Sequence, residues 1–141
     1  MSEAIANDEE RGGLELPEIP LFPLRTVLFP EGVLPLRIFE PRYVDMIRWC
    51  MRNQVNFGVV LLRTGSDVTD KDADAVPDVF RIGTEAKIVD FNQADNGILG
   101  IVAQGARKFS IKESYLQKDG LLKATVEFAK EEALGELTSV H

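Results

Sequence analysis

The chain is poor in the residues from which reactive centres are usually built. Of its 141 residues, one is histidine and one is cysteine. The histidine is His141, the final residue, so a Ser-His or Cys-His pair would have to draw its base from a chain end. A zinc site would have to combine carboxylates with Cys50, an improbable donor set. Cys50 alone forms no intrachain disulfide, and a reducing, cytoplasmic setting is the simplest reading. Neither G-x-x-x-x-G-K-[ST] nor G-x-G-x-x-G occurs, so nucleotide phosphates have no evident cradle. No apolar run approaches the roughly 20 residues that cross a bilayer. Met1–Glu10 has neither the basic n-region nor the apolar h-region of a secretory signal. Basic residues are in the minority as well, 16 Lys and Arg against 23 Asp and Glu, for a net charge of −7. That balance opposes a main role in gripping phosphate backbones. We therefore expect no catalytic residue, no metal and no cofactor.

What is present suits one soluble globular domain: 45% apolar and 28% charged residues in a length that supports a single core. Residues 1–18 are acidic, contain Gly12-Gly13 and show no periodicity, and they read as a disordered tail. Six of the seven prolines then fall between Pro17 and Pro41, interleaved with Leu, Phe, Val and Ile. Because proline fixes φ and removes an N–H donor, this segment is expected to form short extended pieces. Strands are placed at Ile19–Leu24 and Leu34–Phe39, with a turn at Pro30-Glu31-Gly32.

Glu40-Pro41 opens a helix running from Pro41 to about Asn53, since proline at the first helical position is pre-shaped for it and Glu40 meets the positive end of the dipole. At 100° per residue, Tyr43, Val44, Met46, Ile47, Cys50 and Met51 share one face, and Arg42, Asp45, Arg48 and Arg52 the other. Trp49 falls on the charged face, where it would expose up to about 200 Å². We expect protein to cover it, either the Thr64–Asp78 loop or the N-terminal tail, with an intermolecular partner as the second reading.

Phe57–Arg63 is an apolar run short enough for a strand buried on both faces. Thr64–Asp78 reads as an exposed loop. Its five aspartates fail the EF-hand pattern, because counting from Asp67 the sixth and twelfth positions are Asp72 and Asp78 where Gly and Glu are needed. A β meander follows: Ile82–Phe91, a hairpin turn at Asp95-Asn96-Gly97, Ile98–Gln104, a corner at Gly105-Ala106, Lys108–Leu116, a turn at Lys118-Asp119-Gly120, and the cleanly alternating Leu122–Phe128. Six or seven strands with one inserted helix predict a mainly β fold, a closed or nearly closed antiparallel barrel over residues 19–128. Residues 129–141 read as a tail or the start of a helical subdomain that the sequence does not contain.

Three stretches in register carry a resemblance. Ile19-Pro20-Leu21-Phe22-Pro23-Leu24-Arg25 leads into Val27-Leu28-Phe29-Pro30 and Gly32-Val33-Leu34-Pro35-Leu36. Leu36-Arg37-Ile38-Phe39-Glu40-Pro41-Arg42-Tyr43 follows. Ile82-Gly83-Thr84-Glu85-Ala86-Lys87-Ile88 is then succeeded by Arg107-Lys108-Phe109-Ser110-Ile111. Together these resemble the N-terminal (substrate-binding) domain of Lon proteases, in the free-standing bacterial form, over about residues 17–128. The resemblance implies a PUA-like pseudobarrel around one helix. It also implies a non-catalytic module of protein quality control that captures unfolded or extended polypeptide segments. Neither the ATPase nor the Ser-Lys peptidase domain of the complete protease has a counterpart here.

The strand-to-helix junction is the candidate contact surface: Phe29, Leu34, Phe39 and Tyr43 supply apolar area, Arg37 and Arg42 bidentate hydrogen bonds, and Trp49 a further aromatic. Each of these residues has a plain structural reading beside the functional one, with Glu40 and Pro41 capping the helix, Phe39 and Tyr43 packing, and an arginine paired to a nearby carboxylate. Self-association is a second use for such a surface, and no membrane partner is expected. The alternative from a different class is RNA binding, which PUA-like barrels elsewhere perform; the charge opposes it. A small-molecule site inside the barrel is a third, because the same family includes cereblon, although the ligand pocket there belongs to a separate zinc-bearing domain with no counterpart in this sequence.

Overall fold

The computed structural model describes residues 16–63, 76–94 and 96–130. Residues 1–15, most of the aspartate loop and the stretch from 131 onward lie outside the described residues, as does Asp95 of the hairpin turn; the end of the expected 1–18 tail is instead part of the sheet, with Glu18 paired to Thr125 and Pro17 O accepting from Val126 N–H. Six strands and one helix follow in the order β1 (Glu18–Leu24), β2 (Val33–Ile38), α1 (Pro41–Asn53), β3 (Phe57–Leu62), β4 (Val79–Gln93), β5 (Leu99–Leu116) and β6 (Leu122–Phe128). The strands form one sheet in the order β2-β5-β4-β3-β1-β6, and β6 returns to pair with β5. The ring therefore closes through five strands, while β2 lies outside it along the first half of β5.

One pairing departs from the expected all-antiparallel barrel. β1 runs parallel to β3, with Leu21 opposite Gly58 and Leu24 opposite Leu61. A parallel pair needs a long crossover, and β2 with α1 supplies it. The other departure is β5, a single 18-residue strand where a corner at Gly105-Ala106 was expected. Gly105 serves a close approach there: a Cβ on it would fall on the Phe29 carbonyl oxygen. The chain before β2 is stitched to this point by Gly105 N–H to Gly32 O and Glu31 N–H to Gly105 O, both 2.8 Å.

Consecutive residues of β1 and β3 face opposite sides, and both sides are buried. Phe22 and Val59 join Ile38, Ile47, Phe57 and Ile101 in the core under α1. Leu21 and Val60 join Phe109, Ile111, Leu122 and Val126 in the barrel interior. This double burial is why Phe57–Leu62 is apolar throughout rather than alternating. Gly58 and Gly83 clear the space for the Phe109 ring, whose Cζ lies 2.7 Å and 2.5 Å from where their Cβ atoms would be.

The helix begins and ends where its signals place it. Pro41 occupies the first turn, and Gln54 adopts a left-handed φ of 57° at the C-terminus, beyond which Val55 N–H bonds Cys50 O. Glu40, however, makes no side-chain cap; its carboxylate accepts instead from Arg42 Nε at 3.1 Å. Tyr43, Met46, Ile47 and Cys50 are buried, with Val44 and Met51 half-buried beside them.

Candidate functional site

The end of β2, the start of α1 and the second half of β1 converge on a groove of about 360 Å³. Its floor is aromatic. Phe22 from β1 stacks on Tyr43 from the first turn of α1, with ring centroids 4.4 Å apart and planes 15° from parallel. Both rings are nearly buried, and burial pushes the Tyr43 hydroxyl above its ordinary value, Arg42 opposing and Glu40 assisting. Tyr43 contributes its aromatic face to this floor. At the rim stands Phe39, 71% exposed on the bend between β2 and α1. Leu62 and Pro77 line the groove as well, together with the exposed Arg25 and Arg37.

Of the seven residues assigned to the contact surface from sequence, four line this groove: Arg37, Phe39, Arg42 and Tyr43. Arg42 does not point outward as a contact would. Its side chain is 9% exposed and bonds Gly120 O at 2.8 Å, in the β5–β6 turn, besides Glu40. Its guanidinium also lies 5.0 Å from the Tyr43 ring centroid. Arg42 thus clamps the helix start to the barrel. Leu34 is half-buried against the core under α1 rather than offered to a partner. Phe29 is 64% exposed but sits beside Gly105, away from the groove residues.

Trp49 belongs to a second groove, about 300 Å³, with Pro20, Met46, Leu121 and Lys123. It remains 41% exposed, and the Lys123 ammonium lies 5.6 Å from its ring centroid. The expected cover from the aspartate loop or the N-terminal tail involves segments outside the described residues. Arg42 separates the two grooves, since it lines the first and bonds Gly120, between Asp119 and Leu121 of the second.

Sequence reasoning missed Phe22, Leu62 and Pro77, which reach the groove from distant segments. Phe22 alone carried a usable signal: it sits in the Ile19–Arg25 motif, yet the pattern does not say which strand face it takes.

Two titratable groups are shifted by their surroundings in the fold. Cys50 is buried, and desolvation pushes its thiol up to about 12 against a small opposing pull from Lys123. Glu85 is buried beneath Arg107, which donates from Nε at 2.9 Å and Nη2 at 3.2 Å, while Asn56 donates at 3.0 Å. Burial alone would raise this carboxyl; the hydrogen bonds from Arg107 and Asn56 outweigh it and hold the group below its ordinary value. Among the described residues no group of three His, Cys, Asp or Glu is placed to hold a metal ion. None of their helices is long and apolar enough to cross a membrane.

The β-barrel closes through five strands, packs one helix against its side and leaves an aromatic groove at the strand-to-helix junction. Comparison with known proteins identifies the family. The model of the ATP-dependent protease La (LON) substrate-binding domain matches residues 18–140, and the chain belongs to that family. It is 30% identical to the Lon protease of Flavobacterium johnsoniae over 129 residues, covering 89% of this chain and 15% of that protein. It is 29% identical to chicken (Gallus gallus) cereblon over 120 residues, 82% of this chain and 25% of that protein. The chain thus spans only a small part of the length of these curated relatives. Among solved structures, a Lon N-terminal domain protein from Xanthomonas campestris superposes with a TM-score of 0.69 at 35% identity, over 82% of this chain and 61% of that one. The N-terminal domain of the Mycobacterium avium complex Lon protease, at 15% identity and a TM-score of 0.54, shares the fold, over 81% of this chain and 55% of that one.

Proposed function

We propose that this chain is a non-catalytic module that binds extended or unfolded polypeptide segments in the groove at the β2–α1 junction. The observation that carries the reading is the placement of Phe39, 71% exposed, over a floor made of the stacked Phe22 and Tyr43 rings. A bulky apolar side chain held in water at the edge of an aromatic floor gains free energy when another apolar group covers it. Membership of a substrate-binding domain family supports the same use. Arg37 and Phe39 are the contact residues; Tyr43 and Phe22 form the floor; Arg42 keeps the groove in shape.

Affinity for a single segment is expected in the micromolar range or weaker, since a small patch is covered and a flexible chain must be ordered. NMR titration with an unfolded, apolar-rich polypeptide tests the reading. Shifts should concentrate on Arg37, Phe39, Tyr43 and Leu24. Saturating polypeptide that moved none of them would overturn it.

A further inference from the structure

The groove differs in charge from the molecule that carries it. Its lining holds Arg25, Arg37 and Arg42 against one acid, Glu40, in a chain whose net charge is −7. Arg42 and Glu40 are committed to each other at 3.1 Å, and Arg42 further to Gly120 O. Arg37 is different. It lies in β2 opposite Gly100, is exposed, and its side chain makes no hydrogen bond or ion pair among the described residues. It therefore stands at the opening as an uncommitted cation with a planar fork suited to a carboxylate.

Resting on the polypeptide-binding reading above, we propose that the groove selects segments that carry a carboxylate next to an apolar side chain, the carboxylate meeting Arg37 and the apolar group covering Phe39 and the Phe22–Tyr43 floor. The spacing follows from the strand. Arg37 and Phe39 are two residues apart, about 6–7 Å along an extended chain, so the acid and the apolar anchor of the bound segment lie one or two residues apart. A basic segment meets repulsion at the same opening. Selection by charge at a single exposed arginine is modest in size and sensitive to salt.

The test compares short peptides with blocked ends and one apolar-rich sequence, differing at a single position: Glu, Gln or Lys two residues before a Phe. A fourth peptide has Gln at that position and a free C-terminal carboxylate directly after the Phe. Binding is followed by NMR titration at about 0.05 M and about 0.5 M salt. The Glu peptide should bind about 3–10-fold more tightly than the Gln peptide at low salt, and the Lys peptide more weakly than either. The Arg37→Gln variant should lose the Glu-over-Gln preference with its melting temperature unchanged. Arg48→Gln, on the exposed side of α1, should keep the preference. Tighter binding of the free-carboxylate peptide than of its blocked Gln partner identifies a chain end as an accepted source of the carboxylate. Binding only of the Glu peptide identifies the side chain. Equal binding of the Glu, Gln and Lys peptides overturns the selectivity and leaves the polypeptide-binding reading standing. Failure of all four peptides to bind overturns that reading itself. Tighter binding of a single-stranded RNA oligomer than of the Glu peptide overturns both in favour of a nucleic-acid partner.

Discussion

Replacing Arg42 by methionine separates a clamp from a contact. Methionine keeps much of the apolar stem and removes the guanidinium. Three interactions go with it. The charged hydrogen bond to Gly120 O at 2.8 Å is of a kind that contributes about 1.5–3 kcal/mol. The ion pair to the 40% exposed Glu40 side chain adds about 0–1 kcal/mol. The placement over Tyr43, 5.0 Å from its centroid, adds about 0.5–1 kcal/mol. Because the three share one side chain they do not add fully, and a loss of about 2–4 kcal/mol is expected. For a domain of this size that corresponds to a fall of roughly 8–15 °C in melting temperature, measured by circular dichroism. Glu40→Gln, which leaves the Gly120 bond in place, should cost no more than about 1 kcal/mol. Polypeptide binding by the Arg42→Met protein, measured well below its melting temperature, should fall only moderately. An unchanged melting temperature together with abolished binding would refute the clamp and return Arg42 to the contact surface.

Phe39→Ser should leave stability within about 0.5 kcal/mol, as expected at an exposed site, while weakening polypeptide binding several-fold by titration. Arg107→Met should destabilise by roughly 2–3 kcal/mol in chemical denaturation, because Glu85, 10% exposed on its side chain, would be left buried with no cation, held only by Asn56 and the backbone N–H of residue 107. Glu85 is held below its ordinary value of 4.5, so its contribution is complete above about pH 4.5 and disappears as the pH falls through the folded value. Glu85→Gln should therefore flatten the acid side of the stability–pH curve. Cys50, with its thiol at about 12, should resist a thiol reagent at pH 8 in the native protein and react at the ordinary rate in denaturant; rapid native labelling would show that α1 opens readily.

Local signals carried the elements that depend on neighbours in sequence. Pro41 and the spacing of Tyr43, Met46, Ile47 and Cys50 placed α1 from Pro41 to about Asn53, where it lies, and the alternation of Leu122 to Phe128 placed β6. What failed were inferences about partners in space. Gly105 reads as a corner because glycine so often turns a chain; here it is needed because the Phe29 carbonyl passes over a strand that continues. The parallel pairing of β1 with β3 leaves no trace in a two-residue period, since a strand buried on both faces looks the same whichever way its neighbour runs. The site divides along the same line. Arg37, Phe39 and Tyr43 are near neighbours in the chain, so one motif held them all. Their floor partner Phe22 and the wall formed by Leu62 and Pro77 arrive only through the sheet order.

Arg42 shows why a motif residue and a contact residue are different things. Between Phe39 and Tyr43 it has the same charge and nearly the same position as Arg37, and sequence pattern treats the two alike. The difference arises 78 residues away, at a turn whose Gly120 adopts a φ of 90° and so presents its carbonyl to the helix start. One arginine closes the barrel against α1 and fixes the wall between the two grooves. The other, on the outer face of β2, is left with its charge available at the mouth of the groove. A junction motif with two arginines therefore encodes one structural clamp and, on the function proposed above, one recognition element, and the β5–β6 turn decides which is which.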